Sequence, residues 1–257
     1  MNMKLHSLVI GDGDQHLIIL HGFLGMGNNW KSYALDWAKT RYKVHLIDQR
    51  NHGRSFWSDE FNYDVLSLDI YHYMRDFNIS SAIILGHSMG GKTAMNFALN
   101  YHEMVSKLII VDISPREYLN KNQYVLDALG SIDFDSCKSR KEIDNFLSLT
   151  ISEPEFRSFL LKNLYWKTPE KLALRMNIDV LKKNDSIYKS VSSENPYNGL
   201  SLFVSGEMSD YIVDEDKSLI RNLFPQADIV SIKNAGHWVQ VENKTDFKIT
   251  IQQFLKL

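Results

Sequence analysis

Short, uninterrupted apolar runs alternate with segments of helical periodicity along most of this chain. The runs lie at residues 17–20, 44–47, 82–85, 108–111, 202–204 and 229–232, and a short opening strand is expected at 5–10. Strands that are apolar on both sides are typical of a parallel sheet covered by helices on both faces. Between the runs, segments such as 63–77 have helical spacing, and Phe247, Ile251 and Phe254 form a helical stripe. The alternation predicts an α/β fold with a mostly parallel sheet.

The alternation stops between about residues 118 and 195. This region contains no clear strand pattern, and we predict helices at 123–129, 139–149, 153–164 and 169–181. Ser139 followed by Glu142 is a helix-capping pair, and Pro169 suits a first helical turn. We therefore predict an α/β core formed by residues 1–118 and 196–257. A helical cap, residues 119–195, is inserted after the strand at 108–111, and part of its aromatic surface is expected to line a substrate pocket.

Composition narrows the function classes. The 257 residues are 44% apolar and carry a net charge of −2, which argues against disorder and against a nucleic-acid partner. The single cysteine, Cys137, fits a reducing compartment. The N-terminus lacks the apolar core of a signal peptide, and no apolar run approaches the roughly 18 residues of a membrane helix. We expect a cytoplasmic protein with no membrane span.

The segment 86–90 reads Gly-His-Ser-Met-Gly, between an apolar run and a helical pattern. Gly-x-Ser-x-Gly at a strand-to-helix turn is the nucleophile elbow, in which a sharp turn exposes a serine hydroxyl. The competing interpretation is an ordinary glycine–serine loop. The flanking strand and helix favour the first interpretation, so we predict that Ser88 is a nucleophile.

A serine nucleophile needs a base, and the base needs an orienting acid. His237 follows the strand at 229–232 in an Asn-Ala-Gly-His-Trp loop, the expected place for the base; the alternative is a structural histidine that packs on Trp238. We expect His21 and His52 to hold loops, and His87 to point away from Ser88. No histidine pair has the spacing of a zinc site, so no metal is predicted.

Two aspartates could be the acid. Asp112 directly follows the strand at 108–111, and Asp210 follows the strand at 202–204. Asp210 stands one residue later than the acid of a usual Gly-x-x-Asp turn, where Ser209 lies instead. We therefore favour Asp112, with Ser209 adding a hydrogen bond to His237, and keep Asp210 as the alternative acid. For the oxyanion hole we predict the backbone N–H groups of Phe23 and Met89.

Four segments together resemble the α/β-hydrolase superfamily: His21-Gly22-Phe23, residues 48–55, Gly86 to Lys92, and Gly236-His237-Trp238. Within it the chain is similar to the YbfF-type esterases, relatives of the ABHD-type acyl hydrolases. The resemblance implies an eight-stranded sheet, hydrolysis of acyl esters or thioesters, and no cofactor. It also implies that the aspartate of Val-Asp-Ile-Ser-Pro, here Asp112, is the acid, assisted by a serine at the position of Ser209.

The resulting hypothesis is a serine carboxylesterase that acts on a small acyl ester through Ser88, His237 and Asp112. A carbon–carbon bond hydrolase or a cofactor-free haloperoxidase would use the same scaffold. A ligand receptor with slow turnover is the alternative from another class, because the fold alone does not define the activity. We expect a monomer or a homodimer.

Overall fold

A computed structural model describes residues 3–256, which contain nine strands in two sheets. The strands are β1 (Ser7–Ile10), β2 (Gln15–Leu20), β3 (Tyr42–Ile47), β4 (Ala82–His87), β5 (Val105–Val111), β6 (Leu164–Thr168), β7 (Lys171–Leu174), β8 (Ser201–Gly206) and β9 (Ala227–Ile232). The main sheet has the order β1-β3-β2-β4-β5-β8-β9. Within this sheet, as described for residues 3–256, β1 is antiparallel to its neighbour and the other pairs are parallel. The predicted fold class is therefore confirmed.

The strand count differs from the prediction: seven strands form the main sheet within residues 3–256, where eight were expected. All seven coincide with the opening strand and the apolar runs of the sequence. The eighth had no apolar run of its own and came only from the resemblance. In the described part of the chain a single strand, β1, precedes β2, and it forms one edge of the sheet.

Ten α-helices connect or follow the strands in the described residues. They are α1 (Lys31–Trp37), α2 (Tyr63–Asp76), α3 (Met89–Asn100), α4 (Gln123–Gly130), α5 (Arg140–Ser148), α6 (Pro154–Leu161), α7 (Ile178–Lys182), α8 (Asp216–Leu223), α9 (Val239–Glu242) and α10 (Lys244–Leu255). None of the helices between residues 3 and 256 is long and apolar enough to cross a membrane.

Alternate residues of the central strands enter two separate hydrophobic cores. Ile18 and Ile84 pack with α2, α3 and α8 on one face of the sheet. Leu17 and Leu85 pack with α1 and α10 on the other face. Successive side chains of a strand point to opposite faces, so both cores depend on the uninterrupted apolar runs.

The segment between β5 and β8 carries α4 to α7 and the β6–β7 pair; its residues 119–195 are called the inserted segment below. The predicted helix at 169–181 is wrong, because β6 and β7 form an antiparallel hairpin and helix begins only at Ile178. Pro169 lies in the hairpin turn. The fixed φ of proline suits the second residue of a turn as well as a first helical turn, so the sequence pattern was ambiguous.

Residues 115–118, just before the inserted segment, lie beside residues 188–191 near its end, and we call these two stretches the neck. The Tyr118 N–H donates to the Tyr188 carbonyl at 2.8 Å, and the Val191 N–H donates to the Pro115 carbonyl at 2.7 Å. The buried ammonium of Lys92, on α3, donates to the carbonyls of Arg116 at 2.7 Å and Lys189 at 2.5 Å. Helix α3, which follows Ser88 directly, therefore holds both stretches of the neck.

Candidate active site

Ser88 lies at the sharp turn between β4 and α3. Its backbone has φ 53° and ψ −119°, a strained conformation for a residue with a side chain. A Cβ atom on Gly86 would lie 2.1 Å from the Gly90 carbonyl oxygen, and one on Gly90 would lie 2.3 Å from the Leu20 carbonyl oxygen. The two glycines are therefore required by close backbone crossings, which fix the Ser88 side chain at the carboxyl end of the sheet.

The structure brings His237 and Asp112 to Ser88. The Ser88 hydroxyl lies 3.1 Å from Nε2 of His237, and Nδ1 of His237 lies 2.8 Å from Oδ2 of Asp112. A carboxylate can only accept, so Nδ1 carries the proton and Nε2 is free to accept the serine proton. The arrangement can therefore deprotonate the hydroxyl as it attacks an electrophilic carbon.

Asp112 is fully buried, and both of its oxygens are occupied. Oδ1 accepts the Gly206 N–H at 2.9 Å, and Oδ2 accepts the Ser209 hydroxyl at 2.5 Å beside the His237 proton. Ser209 therefore contacts the aspartate and not the imidazole, in contrast to the prediction. The Ser209 hydroxyl lies close to His237, to which a hydrogen bond was predicted, but it donates to Asp112 instead. It therefore orients the acid, and Asp112 in turn contacts the histidine.

Asp210, the alternative acid, is directed away from His237. Its carboxylate pairs with Lys121 at 2.9 Å, and the two side chains are 69% and 67% exposed. The hydrogen bond from Lys121 holds the pKa of Asp210 below its usual value. Within the described residues, Asp112 is the aspartate that the structure brings to the imidazole.

Met89 and Phe23, whose backbone N–H groups were predicted for the oxyanion hole, both lie beside Ser88. Met89 is the first residue of α3, so its N–H is among those that a helix leaves without an internal partner. Phe23 lies in the loop after β2 and lines both cavities beside Ser88. In this loop a Cβ on Gly22 would lie 2.7 Å from Nδ1 of His87. The loop approaches the elbow closely because residue 22 has no side chain.

His21 and His52 hold this loop, as expected from the sequence. Nε2 of His52 accepts the Leu24 N–H at 3.3 Å, and Nε2 of His21 accepts the Gln49 N–H at 3.0 Å. Burial lowers the pKa of His52 to about 3 and also lowers the pKa of His21. Both rings are therefore neutral acceptors at neutral pH.

Two further side chains that the sequence analysis did not assign to the site contact His237. The His87 ring donates from Nε2 to the His237 carbonyl at 3.0 Å, and burial lowers the pKa of His87 to about 3. Tyr211 stacks on the imidazole with ring centroids 3.8 Å apart and planes at 20°. On its other face Tyr211 stacks on Tyr118 of the neck at 5.2 Å. No local sequence signal marks Tyr211, because its contacts are with residues far away in the chain.

Two cavities meet at Ser88. The larger cavity, about 390 Å³, is lined by His237 and Trp238 and by Phe156 and Phe159 of the inserted segment. The smaller cavity, about 200 Å³, is lined by residues of the core, the neck and the inserted segment, which include Tyr63, Met89, Ile113, Tyr118, Ile187 and Tyr188. Phe23, Ser88 and Tyr211 line both. Within residues 3–256 no three histidine, cysteine or carboxylate side chains are placed to hold a metal ion.

Known proteins are similar to this chain in sequence and in structure. A family model described as "alpha/beta hydrolase fold" matches residues 15–135. The sn-1-specific diacylglycerol lipase ABHD11 of Mus musculus is 34% identical over 255 residues, which span 95% of this chain and 83% of that protein. The chain belongs to the α/β-hydrolase family. The resemblance inferred from the four sequence segments is thereby confirmed.

Two other proteins similar to this α/β-hydrolase are named esterases. Esterase YbfF of Escherichia coli (strain K12) is 25% identical, over 98% of this chain and 99% of that protein. The solved structure of a marine microorganism esterase superposes with a TM-score of 0.95 at 38% identity. The superposition covers 98% of this chain and 100% of the other chain.

Proposed function

We propose that this chain is a serine carboxylesterase that hydrolyses small acyl esters through an acyl-enzyme. The observation that carries the proposal is the line of contacts from the Ser88 hydroxyl through His237 to Asp112, at 3.1 and 2.8 Å. The names of the mouse lipase and the two esterases support it. Residues 119–195 act in this proposal as a cap, because Phe156, Phe159 and Tyr188 form walls of the two cavities.

In the acylation step, Oγ of Ser88 bonds to the ester carbonyl carbon while its proton passes to Nε2 of His237. The carbonyl oxygen becomes an oxyanion, which the N–H groups of Phe23 and Met89 stabilise. His237 then gives the proton to the leaving oxygen as the bond between carbon and that oxygen breaks. Asp112 stays ionised and holds the imidazolium in orientation.

In the deacylation step, water takes the place of the leaving alcohol. His237 accepts a proton from the water as its oxygen bonds to the acyl carbon, and returns the proton to Oγ as the acyl–serine bond breaks. The products are a carboxylic acid and the free enzyme. Acyl thioesters fit the same steps, since a thiolate replaces the alkoxide as the leaving group, so acyl-CoA substrates belong in the test panel.

The decisive experiment is Ser88→Ala, assayed on p-nitrophenyl acetate and butyrate. We expect kcat to fall by at least about 10³-fold, because the nucleophile is lost. Ser131→Ala, at an exposed serine after α4, is the matched control and should keep wild-type activity. Undiminished turnover in Ser88→Ala would refute the mechanism.

A fluorophosphonate probe with a panel of esters separates the remaining alternatives. The proposal predicts rapid labelling of Ser88 together with ester turnover. Rapid labelling with negligible turnover of every ester and thioester would favour a ligand-binding receptor. Turnover restricted to carbon–carbon bond substrates would favour a carbon–carbon bond hydrolase.

A further inference from the structure

The two cavities at Ser88 differ in which members of the site they contain. The larger cavity includes His237 and Trp238. The smaller cavity includes Met89 and Ser88, and His237 is absent from its walls. An ester bound at Ser88 has two parts, the acyl group and the leaving alcohol. The position of His237 indicates which cavity holds each part.

The leaving oxygen must come within hydrogen-bond reach of Nε2 of His237, because that nitrogen supplies its proton. The alcohol part therefore extends into the cavity that His237 lines. The acyl chain is a separate substituent of the carbon bonded to Ser88, and the other cavity that meets Ser88 is the one that Met89 lines and His237 does not. We infer that the smaller cavity is the acyl site and the larger cavity the leaving-group site, an assignment that rests on the proposed esterase function.

The size and rigidity of the acyl cavity limit the acyl chain. At about 200 Å³ it lies below the roughly 300–1,000 Å³ of cavities that enclose drug-sized ligands. Its walls include buried Tyr63, whose hydroxyl donates to the Ile187 carbonyl at 2.6 Å, and buried Ile113. Leu119, 83% exposed, lies at the outer end of this cavity. Methylene groups that extend past Leu119 reach solvent and add no binding energy, so acyl groups longer than the cavity gain no further advantage from it.

The leaving-group cavity is about twice as large, and several aromatic rings line it. Phe159 lies 4.5 Å from Trp238 and Phe156 lies 5.7 Å from it, both edge to face. Trp30 lines the same cavity. Such a wall favours a bulky apolar or aromatic alcohol. The substrate class that the geometry predicts is therefore a short acyl ester of a large apolar alcohol.

The test uses two variants, each in one cavity, and two substrate series. Ile187→Ala enlarges the acyl cavity, and Phe159→Ala removes a wall of the leaving-group cavity. The first series is p-nitrophenyl esters from acetate to decanoate, in which only the acyl chain varies. The second is ethyl and benzyl butyrate, in which only the alcohol varies. Thermal unfolding of both variants checks folding, and Ile187→Val and Phe159→Leu serve as milder replacements.

For the wild type we expect kcat/KM to rise over the short acyl chains and then level off. Ile187→Ala should raise the octanoate-to-acetate ratio of kcat/KM about tenfold or more, since one methylene in an apolar pocket changes selectivity by about 10-fold or more. It should leave the benzyl-to-ethyl ratio unchanged. Phe159→Ala should lower the benzyl-to-ethyl ratio about tenfold and leave the acyl profile unchanged.

Crossed results, in which Phe159→Ala changes the acyl profile and Ile187→Ala changes the alcohol ratio, would overturn the assignment. A wild-type kcat/KM that rises steadily to decanoate would also overturn it. Both outcomes leave ester hydrolysis intact and so differ from failure of the proposed function. That failure would appear as wild-type turnover no greater than that of Ser88→Ala on every ester, and it would refute the assignment as well.

Discussion

Asp112 reaches His237 because its own backbone adopts a left-handed conformation, with φ 49°. This conformation turns the side chain at the end of β5 toward the loop after β8, where Gly206 and Ser209 hold the carboxylate. Ser88 and His237 were predictable from a local motif and from their order after strands. The sequence favoured Asp112 over Asp210 because Ser209 stands at the usual place of the acid, but the backbone angle of Asp112 and the lysine partner of Asp210 could not be read from strand-end positions.

The geometry predicts that Asp112→Asn lowers kcat by about 10³- to 10⁴-fold. An amide cannot fix the imidazole tautomer that leaves Nε2 free to accept the serine proton. Asp210→Asn is the matched control, because Asp210 is exposed and paired with Lys121, and we expect kcat within about threefold of wild type. Steady-state kinetics on p-nitrophenyl butyrate measure both. If Asp210→Asn alone loses activity, the acid has been assigned incorrectly.

Tyr211 gives a second prediction at this scale. Its ring lies flat on the His237 imidazole and favours the imidazolium that forms during each step, an effect of about 0.5–1 kcal/mol. Tyr211→Leu should therefore lower kcat by about two- to fivefold. Tyr211→Phe keeps the stacked ring and should retain wild-type kcat. Equal losses in both variants would assign the effect to the hydroxyl group and contradict the stacking argument.

At the scale of elements, the sequence predicted strands and helices best where a pattern was compatible with a single kind of secondary structure. The apolar runs became strands of the main sheet, and the helix predicted at 139–149 is observed as α5 with Ser139 as its cap. The hairpin of β6 and β7 was missed because its strands are short and half exposed and its turn contains Pro169. Tertiary contacts of the inserted segment, rather than local preference, decide the structure there.

Lys92 provides a test of how α3 holds the neck. Lys92→Met keeps the aliphatic stem but removes the ammonium that donates to the Arg116 and Lys189 carbonyls. The bonds to these carbonyls are partly buried, so acceptors left without their donor cost up to about 1–3 kcal/mol, and we expect a lower free energy of unfolding. We also expect faster hydrogen exchange at the Tyr118 and Val191 amides, whose bonds form the neck.

The control for this experiment is Lys107→Met. Lys107 also donates to a backbone carbonyl, that of Phe254, but at the opposite side of the fold from the neck. It should leave exchange at Tyr118 and Val191 unchanged. Equal exchange at these two amides in wild type and Lys92→Met would show that the backbone bonds hold the neck without the ammonium.

At the scale of the whole molecule, sheet order assembles the site. The strands β4, β5, β8 and β9 are consecutive in the sheet, and parallel strands present their carboxyl ends at one edge. Ser88, Asp112, Ser209 and His237 each follow one of these four strands. Contacts between residues 149 positions apart, such as Ser88 to His237, were therefore predictable once the strands and their parallel order were inferred. The details of each loop were not.

Buried histidines also set how the whole fold responds to acid. Burial lowers the pKa of His45 to about 4 and those of His52 and His87 to about 3, all below the ordinary value of 6.5. Between these values and pH 6.5 the unfolded chain binds more protons than the folded one, so the free energy of unfolding falls as the pH falls. Near pH 5 each of the three histidines contributes up to about 1.4 kcal/mol per pH unit to the slope of the free energy of unfolding against pH.

Urea unfolding at pH 7.5, 6.5, 5.5 and 5.0 measures this loss, and His45→Gln provides the sharpest comparison. Glutamine can replace hydrogen bonds of His45, which lies between His16 and the Tyr73 hydroxyl, but it does not titrate. The variant should lose about 1.4 kcal/mol per pH unit of slope near pH 5. A slope unchanged by the substitution, or stability that is flat from pH 6.5 to 5.0, would contradict the argument. Other titrating groups are the same in both proteins, among them Asp69, whose pKa is raised by burial, and Asp214, whose pKa is lowered by the bond from Lys217. The difference in slope between wild type and His45→Gln therefore reports on His45.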